Sequence, residues 1–402
     1  METHDCDVAI VGGGLVGCSL ALALARAGVD AVLFDDPPPA RPLASDPRKL
    51  ALGAAALNAL AALGVLDRLP TAPTPIRSIH ASREGDFGGV RLQAEDFDRE
   101  VLGAVVLAGD LGRALSATLA AAAVPVRLGR AEPEALAADR RLLRLSNTAD
   151  RWRARLVAAA DGTASPWRQA EGIGVDTHDY GQTLLVASLR MDRPPDGRAW
   201  ERLTAQGPCA LLPMADGWHG GLCAVASAQA AEVLALDDAA FVAYFQRRFG
   251  WRAGRVREAG PRSAWPLRRS VARRLHGERL VLLGNAAQTL HPIGAQGFNL
   301  GLRDALCLAE RIAAARQHDP AADPGAPALL AEYAAQRHED RERTLDFSDG
   351  LARISAGETV VHRLGRSLGF AALQLDAGLR AAFASGAMGF RGRVPALARG
   401  LT

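Results

Sequence analysis

The feature that most constrains the fold is a glycine-rich turn between a short apolar strand and an Ala/Leu-rich helix near the N-terminus. The strand, residues 7–11, runs into Gly12, Gly14 and Gly17, which have the spacing GxGxxG. The first glycine of this motif makes a tight turn. The second lets a pyrophosphate approach backbone N–H groups, and the third lets the helix pack closely on the sheet. The turn, including Leu15 and Val16, therefore predicts a dinucleotide site.

An acid in the expected place strengthens this interpretation. A second apolar strand, residues 31–34, ends at Asp35, close to the roughly 20-residue distance at which a carboxylate meets the ribose of a dinucleotide. Gly28 stands where the intervening helix should end, as a natural C-terminal cap. The full strand–turn–helix–strand–acid order makes an unrelated glycine turn improbable, but it does not distinguish FAD from NAD.

Composition excludes several other classes of protein. The chain has 402 residues, enough for a large core and two or more subdomains, and a net charge of only +3, too small to indicate nucleic acid binding. It contains no run of 18 uncharged apolar residues and no visible signal peptide. The five cysteines include no CxxC pair, which disfavours a disulfide framework or a metal site. We expect a cytoplasmic protein without metal.

Two further helices are predicted in the first third of the chain. One follows Arg48 and reaches residue 64, and the other covers residues 110–122 with Asp110 as its N-cap. Arg48 itself faces either a phosphate or solvent, and the residues alone favour solvent.

Strand-rich segments interrupt the α/β pattern. Residues 76–81 alternate like a single strand, and further strands are predicted between 184 and 226. The predicted division is a discontinuous cofactor domain (1–72, 98–176 and 271–327), a β-rich substrate domain (73–97 and 177–270) and a helical C-terminal region (328–402).

Two later strand ends also carry candidate ligand-binding residues. Asp161 ends the apolar strand 156–160, a position where parallel sheets meet ligands. The segment 280–299 reads as a strand, a polar turn at Gly284 and Asn285, a loop broken by Pro292, and a helix. Glycines in that loop would allow a flat ligand to approach the backbone.

Taken together, these motifs resemble the group A flavoprotein aromatic hydroxylases, which share the p-hydroxybenzoate hydroxylase-like fold. The segment 284–292, Gly-Asn-Ala-Ala-Gln-Thr-Leu-His-Pro, is similar to ubiquinone-biosynthesis hydroxylases of the UbiH, UbiF and VisC type, and within them to the UbiH branch of 2-polyprenyl-6-methoxyphenol hydroxylases. Segments 75–80, 199–204, 207–213 and 249–251 support the resemblance. It implies an α/β (α+β) chain, with a Rossmann-like FAD-binding domain, an inserted β-rich substrate domain and a helical C-terminus.

The resemblance implies an FAD monooxygenase that hydroxylates a polyprenylated (methoxy)phenol through a flavin C4a-hydroperoxide, using NADH or NADPH and O₂. The FAD-binding residues that it implies span all three motifs: Gly12, Gly14, Leu15, Val16, Gly17, Asp35, Arg48, Asp161, Gly284, Asn285, Gly294, Ala295, Gln296, Gly297 and Asn299. In this set Arg48 would approach the flavin. No catalytic base is evident. His291, Pro292 and Gln296 are candidates that line the ring, although a structural role is the better interpretation of His291.

The chain departs from the family at several places, among them Asn285 in place of the usual Asp and the absence of a Trp-Cys pair in the segment 221–226; two further departures bear on activity. The family usually has Ala-Gly where this chain has Gly294-Ala295, and a polar residue where Ala108 and Gly109 stand. These departures keep open a second hypothesis, a non-catalytic partner of the other ubiquinone enzymes. A third is a flavin hydroxylase of a soluble aromatic acid.

The C-terminal tail leaves two interpretations open as well. From residue 359 onward it has six arginines and one acid among regularly spaced apolar residues. Such a tail either lies on an anionic membrane surface, here the inner membrane, or packs on the body with solvated arginines. Contact with other ubiquinone-biosynthesis proteins is a further expectation.

Overall fold

The computed structural model describes residues 2–36, 46–137, 139–291, 294, 296–356 and 360–400, with the side chains of 351–356, 360, 361 and 363 left out. In chain order the strands are β1 (Thr3–Val11), β2 (Ala31–Asp35), β3 (Lys49–Gly53), β4 (Thr74–Ile76), β5 (Ser78–Arg83), β6 (Gly89–Gln93), β7 (Gly103–Leu107), β8 (Val126–Leu128), β9 (Ala131–Leu136), β10 (Arg141–Leu145), β11 (Arg151–Ala159), β12 (Val175–Met191), β13 (Arg198–Leu203), β14 (Cys209–Pro213), β15 (Trp218–Ala226), β16 (Val256–Ala272), β17 (His276–Gly277), β18 (Leu280–Leu282) and β19 (Gln288–Thr289).

The helices are α1 (Leu15–Arg26), α2 (Ala54–Ala62), α3 (Ala108–Ala121), α4 (Pro166–Ala170), α5 (Ala230–Ala235), α6 (Asp238–Phe249), α7 (Gln296–His318), α8 (Pro327–Ala356), α9 (Val360–Leu375), α10 (Ala377–Met388) and α11 (Ala396–Arg399). None of those described is long and apolar enough to cross a membrane.

The first sheet has the order β17-β18-β11-β1-β2-β8, with β10 and β9 added beside β11. Strands β18, β11, β1, β2 and β8 run parallel. The apolar residues of β18, β11, β1 and β2 are buried, as expected for a sheet that helices cover on both faces, whereas those of the edge strand β8 are exposed. This arrangement brings the carboxyl ends of β1 and β11, and therefore the GxGxxG turn and Asp161, to the same edge.

The second sheet also has eight strands and is mostly antiparallel, in the order β19-β16-β12-β15-β14-β13-β5-β6. Strand β13 is the exception, because it pairs with β5 in parallel. Between the two sheets, β3, β7 and β4 form a small third sheet. The mixed α/β architecture predicted from the sequence is confirmed. The predicted domain boundaries stay a prediction.

Three local predictions were wrong. Residues 49–53 form strand β3 and not the start of a helix, because they pair along their length with β7. The segment 76–81 is two strands, since β4 joins the third sheet while β5 joins the second. Helix α3 begins at Ala108, so Asp110 lies inside its first turn, where its carboxylate pairs with Arg113 and caps nothing.

Candidate active site

The glycine-rich turn is shaped by close backbone contacts on one side and is open on the other. Gly12 has φ +105°, and a Cβ there would lie 2.5 Å from the carbonyl oxygen of Ala160. A Cβ at Gly17 would collide with the carbonyl of Gly12. At Gly14, by contrast, a Cβ would meet nothing within 4 Å. The first and third glycines therefore fix the fold, while the second faces open space.

Asp35 lies beside this turn, as the spacing predicts. The backbone N–H of Gly13 donates a 2.8 Å hydrogen bond to Oδ1 of Asp35, which joins the end of β2 to the turn after β1. Burial raises the pKa of Asp35, and the bond from Gly13 opposes that rise. One carboxylate oxygen is thus committed to the turn.

Asp161 stands two residues after the end of β11, and its α-carbon would lie 3.0 Å from a Cβ on Gly12. The backbone N–H of Trp167 donates to its Oδ2 at 3.4 Å. Its Oδ1 is buried and receives no hydrogen bond from the residues that the structure describes. Burial raises the pKa of this carboxyl. A buried acceptor without a donor is uncommon in proteins, and a bound ligand or water molecule is the usual partner of such a group.

The loop after β18 packs onto the first helix through two glycines. Gly284 has φ +54°, and a Cβ there would lie 3.0 Å from a methyl group of Val16. A Cβ on Gly301, in the second turn of α7, would lie 2.8 Å from the same methyl group. These contacts place Asn285, whose side chain is exposed, on the same side of the molecule as the glycine-rich turn.

Helix α7 begins with side chains that bind backbone. Gln296 is buried, and its Nε2 donates to the carbonyl of Gly294 at 3.1 Å. Asn299 accepts from the N–H of Gly53 and donates to the carbonyl of Ala51, both at 3.0 Å, so its amide holds β3 against the helix. A Cβ at Gly297 would meet nothing within 4 Å.

The remaining predicted residues of this region divide into three groups. His291 is 1% exposed and packs edge-on against Tyr180 with ring centroids 4.7 Å apart. Burial lowers the pKa of His291 to about 4, so its ring is neutral near pH 7. Arg48 pairs with Asp46 and lies over the ring of Trp265. The predictions for Pro292 and Ala295 fall outside the described residues.

A buried ionic network beneath this loop was missed by the sequence analysis. Gln288 donates to Asp304 of α7 at 2.7 Å and accepts from Arg341 of α8 at 2.9 Å. Arg337 bonds the other oxygen of Asp304 at 2.6 Å. Gln288, one of the residues that make the segment 284–292 similar to the UbiH branch, therefore links the loop to two helices. The regularly spaced charged residues of α8 were the sequence signal for this network, but their pairing partners lie far from them in the sequence.

A cavity of about 690 Å³ opens beside the start of α7. Its walls are mostly apolar side chains from β5, β6, β13, α9 and α10, and Gly294, Gln296 and Asn299 border it. Phe370 and Leu373 of α9 cover one side. The sequence did not predict this cavity, because its walls come from segments more than 300 residues apart.

Comparison with known proteins identifies the family. The family model described as an FAD binding domain matches residues 5–348. The ubiquinone hydroxylase UbiL of Rhodospirillum rubrum is 37% identical over 395 residues, which cover 95% of this chain and 89% of that protein. The 3-demethoxyubiquinol 3-hydroxylase of Escherichia coli is 32% identical, covering 80% of this chain and 83% of its own.

Solved structures agree on the fold. The p-nitrophenol 4-monooxygenase PnpA of Pseudomonas putida superposes with a TM-score of 0.78 at 20% identity, covering 98% of this chain and 100% of that one. The anhydrotetracycline hydroxylase OxyS of Streptomyces rimosus gives a TM-score of 0.71 at 19% identity, covering 97% and 77%. At these identities the likeness concerns architecture alone. With the sequence relatives, it confirms the predicted family: the chain belongs to the FAD-binding-domain family, as an FAD-dependent monooxygenase of the ubiquinone hydroxylase group.

Proposed function

We propose that this chain hydroxylates a prenylated (methoxy)phenol in ubiquinone biosynthesis, with NADH or NADPH as electron donor and O₂ as oxidant. The observation that carries the proposal is the apolar cavity, which begins at Gly294 and Gln296, where the predicted flavin site ends. The two relatives are named as a ubiquinone hydroxylase and a 3-demethoxyubiquinol 3-hydroxylase. An aromatic ring with an apolar tail matches such a space.

Three features of the glycine-rich edge fit FAD. Gly14 leaves open space where a pyrophosphate would approach, and Oδ1 of Asp161 is a buried acceptor without a donor. Asp35 stands beside the turn with a second carboxylate oxygen available to a ribose hydroxyl. We assign Gly12, Gly14, Leu15, Val16 and Gly17, with both acids, to the adenosine and pyrophosphate end of FAD.

The flavin end would lie against Gly284, Asn285 and residues 294–297. When bound, FAD supplies electron transfer from the nicotinamide and activation of O₂. The chain supplies position and electrostatics. Helix α7 points its N-terminus, with the open Gly297, toward this end, and a helix N-terminus favours negative charge. Asn299 fixes the distance between that N-terminus and β3.

The cavity wall argues against a soluble aromatic acid as substrate. An acid needs a cation in the site. The arginine in the described wall, Arg366 of α9, is buried and paired with Asp86 at 2.6 Å. The wall also contains Glu201, whose carboxyl group cannot neutralise the charge of a carboxylate. An uncharged phenol with an apolar tail meets neither difficulty.

We further propose that α9 and α10 touch a membrane surface, from which a prenylated substrate would arrive. Leu364, Leu368, Leu375 and Leu379 are between 51% and 85% exposed, and Leu379 also lines the cavity. Several arginines of the tail are ion-paired with acids of the body, so apolar contact would dominate over charge.

Flotation of the protein with lipid vesicles tests this proposal, and the bound fraction should fall when Leu364 and Leu368 are replaced by serine. Binding that depends on anionic lipid alone contradicts this.

The test of the function is a product assay with the FAD-loaded protein. With 2-prenylphenol, we expect consumption of NADH or NADPH and a product heavier by one oxygen atom. Uncoupled oxidation without product would contradict the proposal, and so would failure to bind FAD, which is the expectation for a non-catalytic partner of other ubiquinone enzymes. Precursor analysis in a deletion strain would then give the ring position.

A further inference from the structure

Strand β13 presents its side chains alternately to a packed core and to the cavity. Trp200 packs against the core of the second sheet. On the other face, Ala199 packs with residues of the third sheet, while Glu201 and Leu203 line the cavity. The two-residue period of a strand therefore puts a carboxyl group into a wall that is mostly apolar.

The residues beside Glu201 in the sheet provide no hydrogen-bond partner for its carboxyl group. In the register of the sheet it lies between Ala81 of β5 and Ala210 of β14, neither of which has a polar side chain. Across the part of the chain that the structure describes, no hydrogen bond or ion pair reaches this carboxyl. Placing a polar group among apolar neighbours without a partner is unfavourable, so the position destabilises the protein that carries it.

The ionisation of Glu201 is set by this environment. The side chain keeps some accessible surface because it borders a cavity. The protein nevertheless surrounds it closely enough that burial alone raises its pKa to about 8. A carboxyl group with this pKa exchanges a proton near neutral pH, which is the property that an acid–base group needs.

We propose, on the basis of the function proposed above, that Glu201 is the residue that binds the hydroxyl group of the phenol and accepts its proton. The phenol ring would lie between Glu201 and the start of α7, since both border one cavity. The apolar substituent would lie along the remaining walls, where Phe370 and Leu373 provide contact. The carboxyl thus gives orientation to a ligand that the apolar walls alone would hold in several ways.

The proton step balances without an oxidant. The O–H bond of the phenol breaks, an O–H bond forms on the carboxylate of Glu201, and the negative charge moves to the phenolate oxygen. No electron is gained or lost by either partner. The phenolate ring is richer in electrons than the phenol and is therefore more readily attacked by an electrophilic oxygen. The proton returns to the product before it leaves.

A binding experiment tests this without relying on turnover. FAD-loaded protein is titrated with 2-prenylphenol and with its methyl ether, 2-prenylanisole, which lacks the hydroxyl hydrogen. We expect the wild-type protein to bind the phenol about tenfold more tightly than the ether, as one good hydrogen bond provides. Glu201→Leu should bind the two equally. Glu258→Gln, which changes an exposed carboxyl on β16, should behave as wild type.

Turnover separates binding from proton transfer. Glu201→Gln keeps an acceptor oxygen but cannot take the proton, so its KM should change little while kcat falls about 100-fold. In the wild type kcat should rise with pH and level off above about 8, because the carboxylate is the active form. That rise should be absent in Glu201→Gln. A residue with only a structural role would change neither the pH profile nor the ratio of kcat to KM in this way.

The results distinguish this inference from the proposed function. If Glu201→Leu keeps the preference for phenol over ether, or if the wild type has none, Glu201 does not bind the hydroxyl and the inference is overturned. If the preference is present and lost in Glu201→Leu, yet the wild type forms no hydroxylated product, the binding site stands and the proposed function fails. The thermal midpoint of Glu201→Leu should be at or above that of the wild type, which shows that the variant folds.

Discussion

Two sets of buried acids in this protein have opposite surroundings. Between α7 and α8, Asp340 accepts from Arg303 and Arg337, both at 2.8 Å, and Asp304 accepts from Arg337 and Gln288. Every one of these groups is almost inaccessible. Their charges compensate one another, and the network ties two helices to the loop that follows β18.

The acids at the candidate active site are incompletely paired. Asp161 has one oxygen without a donor, and no bond from the described residues reaches Glu201. The pKa values differ accordingly. Burial opposes ionisation of Asp340, yet Arg303 and Arg337 outweigh it and hold its pKa below the ordinary value. For Asp161 and Glu201 burial prevails, and their pKa values are raised. In these two sets, the completely paired acids join helices, and the incompletely paired acids lie at the candidate active site.

The largest expected effect comes from breaking the paired set. Asp340→Ala should lower the free energy of unfolding by about 3–5 kcal/mol, because it leaves Arg303 and Arg337 buried without their carboxylate. Since the pKa of Asp340 is lowered on folding, its contribution is present above about pH 4 and is lost as pH falls further. Urea unfolding at several pH values measures both. A loss below about 1 kcal/mol would contradict the structural role.

The opposite sign is expected at Glu201. Glu201→Leu should raise the free energy of unfolding by about 1–3 kcal/mol while removing the preference for a phenol. The raised pKa of Glu201 also predicts how the stability of the wild-type protein changes with pH. The folded protein holds a proton that the unfolded chain has released, so wild-type stability falls from about pH 4 to about pH 8 relative to the variant. A difference that stays constant with pH would show that Glu201 is not buried as an acid.

A smaller effect is expected at Asp161, and it should appear in ligand binding. Asp161→Asn should weaken FAD binding about tenfold, near 1.4 kcal/mol, because the amide cannot keep the bond from Trp167 and also offer two acceptor oxygens. The FAD-free protein should unfold at nearly the same urea concentration as wild type. Equal FAD affinity, measured by fluorescence titration, would remove Asp161 from the cofactor site.

The smallest effect is expected for an exposed pair. Glu258 and Arg190 lie 3.6 Å apart on β16 and β12, with both side chains about half exposed. Glu258→Gln should change the free energy of unfolding by less than about 0.5 kcal/mol, since solvent screens such pairs. Unfolding measured at low and high salt checks this. A larger change would mean that pairing alone, without burial, explains the contrast between the two sets of acids.

The sequence predicted best what is local. The GxGxxG turn and Asp35 lie within 24 residues of one another, and the hydrogen bond from Gly13 confirms their proximity. Prediction was poorer where pairing partners are distant. Residues 49–53 have helix-forming alanine and leucine, but their pairing with β7, more than 50 residues later, makes them a strand.

Glu201 shows why the substrate side could not be predicted. In Trp200-Glu201-Arg202 the acid lies between a tryptophan and an arginine, and this local sequence does not indicate that its side chain lines a cavity. Only the cover formed by α9, more than 150 residues later, turns this face of β13 into a cavity wall. Gln288 is similar, since its partners on α7 and α8 determine its role and none is visible from the motif that contains it.

The volume of the cavity sets a limit on length. At about 30 Å³ for a water-sized group, 690 Å³ holds about 23 such groups, which is a phenol ring with two or three five-carbon isoprene units. A longer tail must continue outside, past α9 and α10. Turnover should therefore improve with each added isoprene unit up to that length and then stay level. The protein would bind the phenol ring and the first isoprene units of its substrate, and its turnover would not depend on the length of the remaining tail.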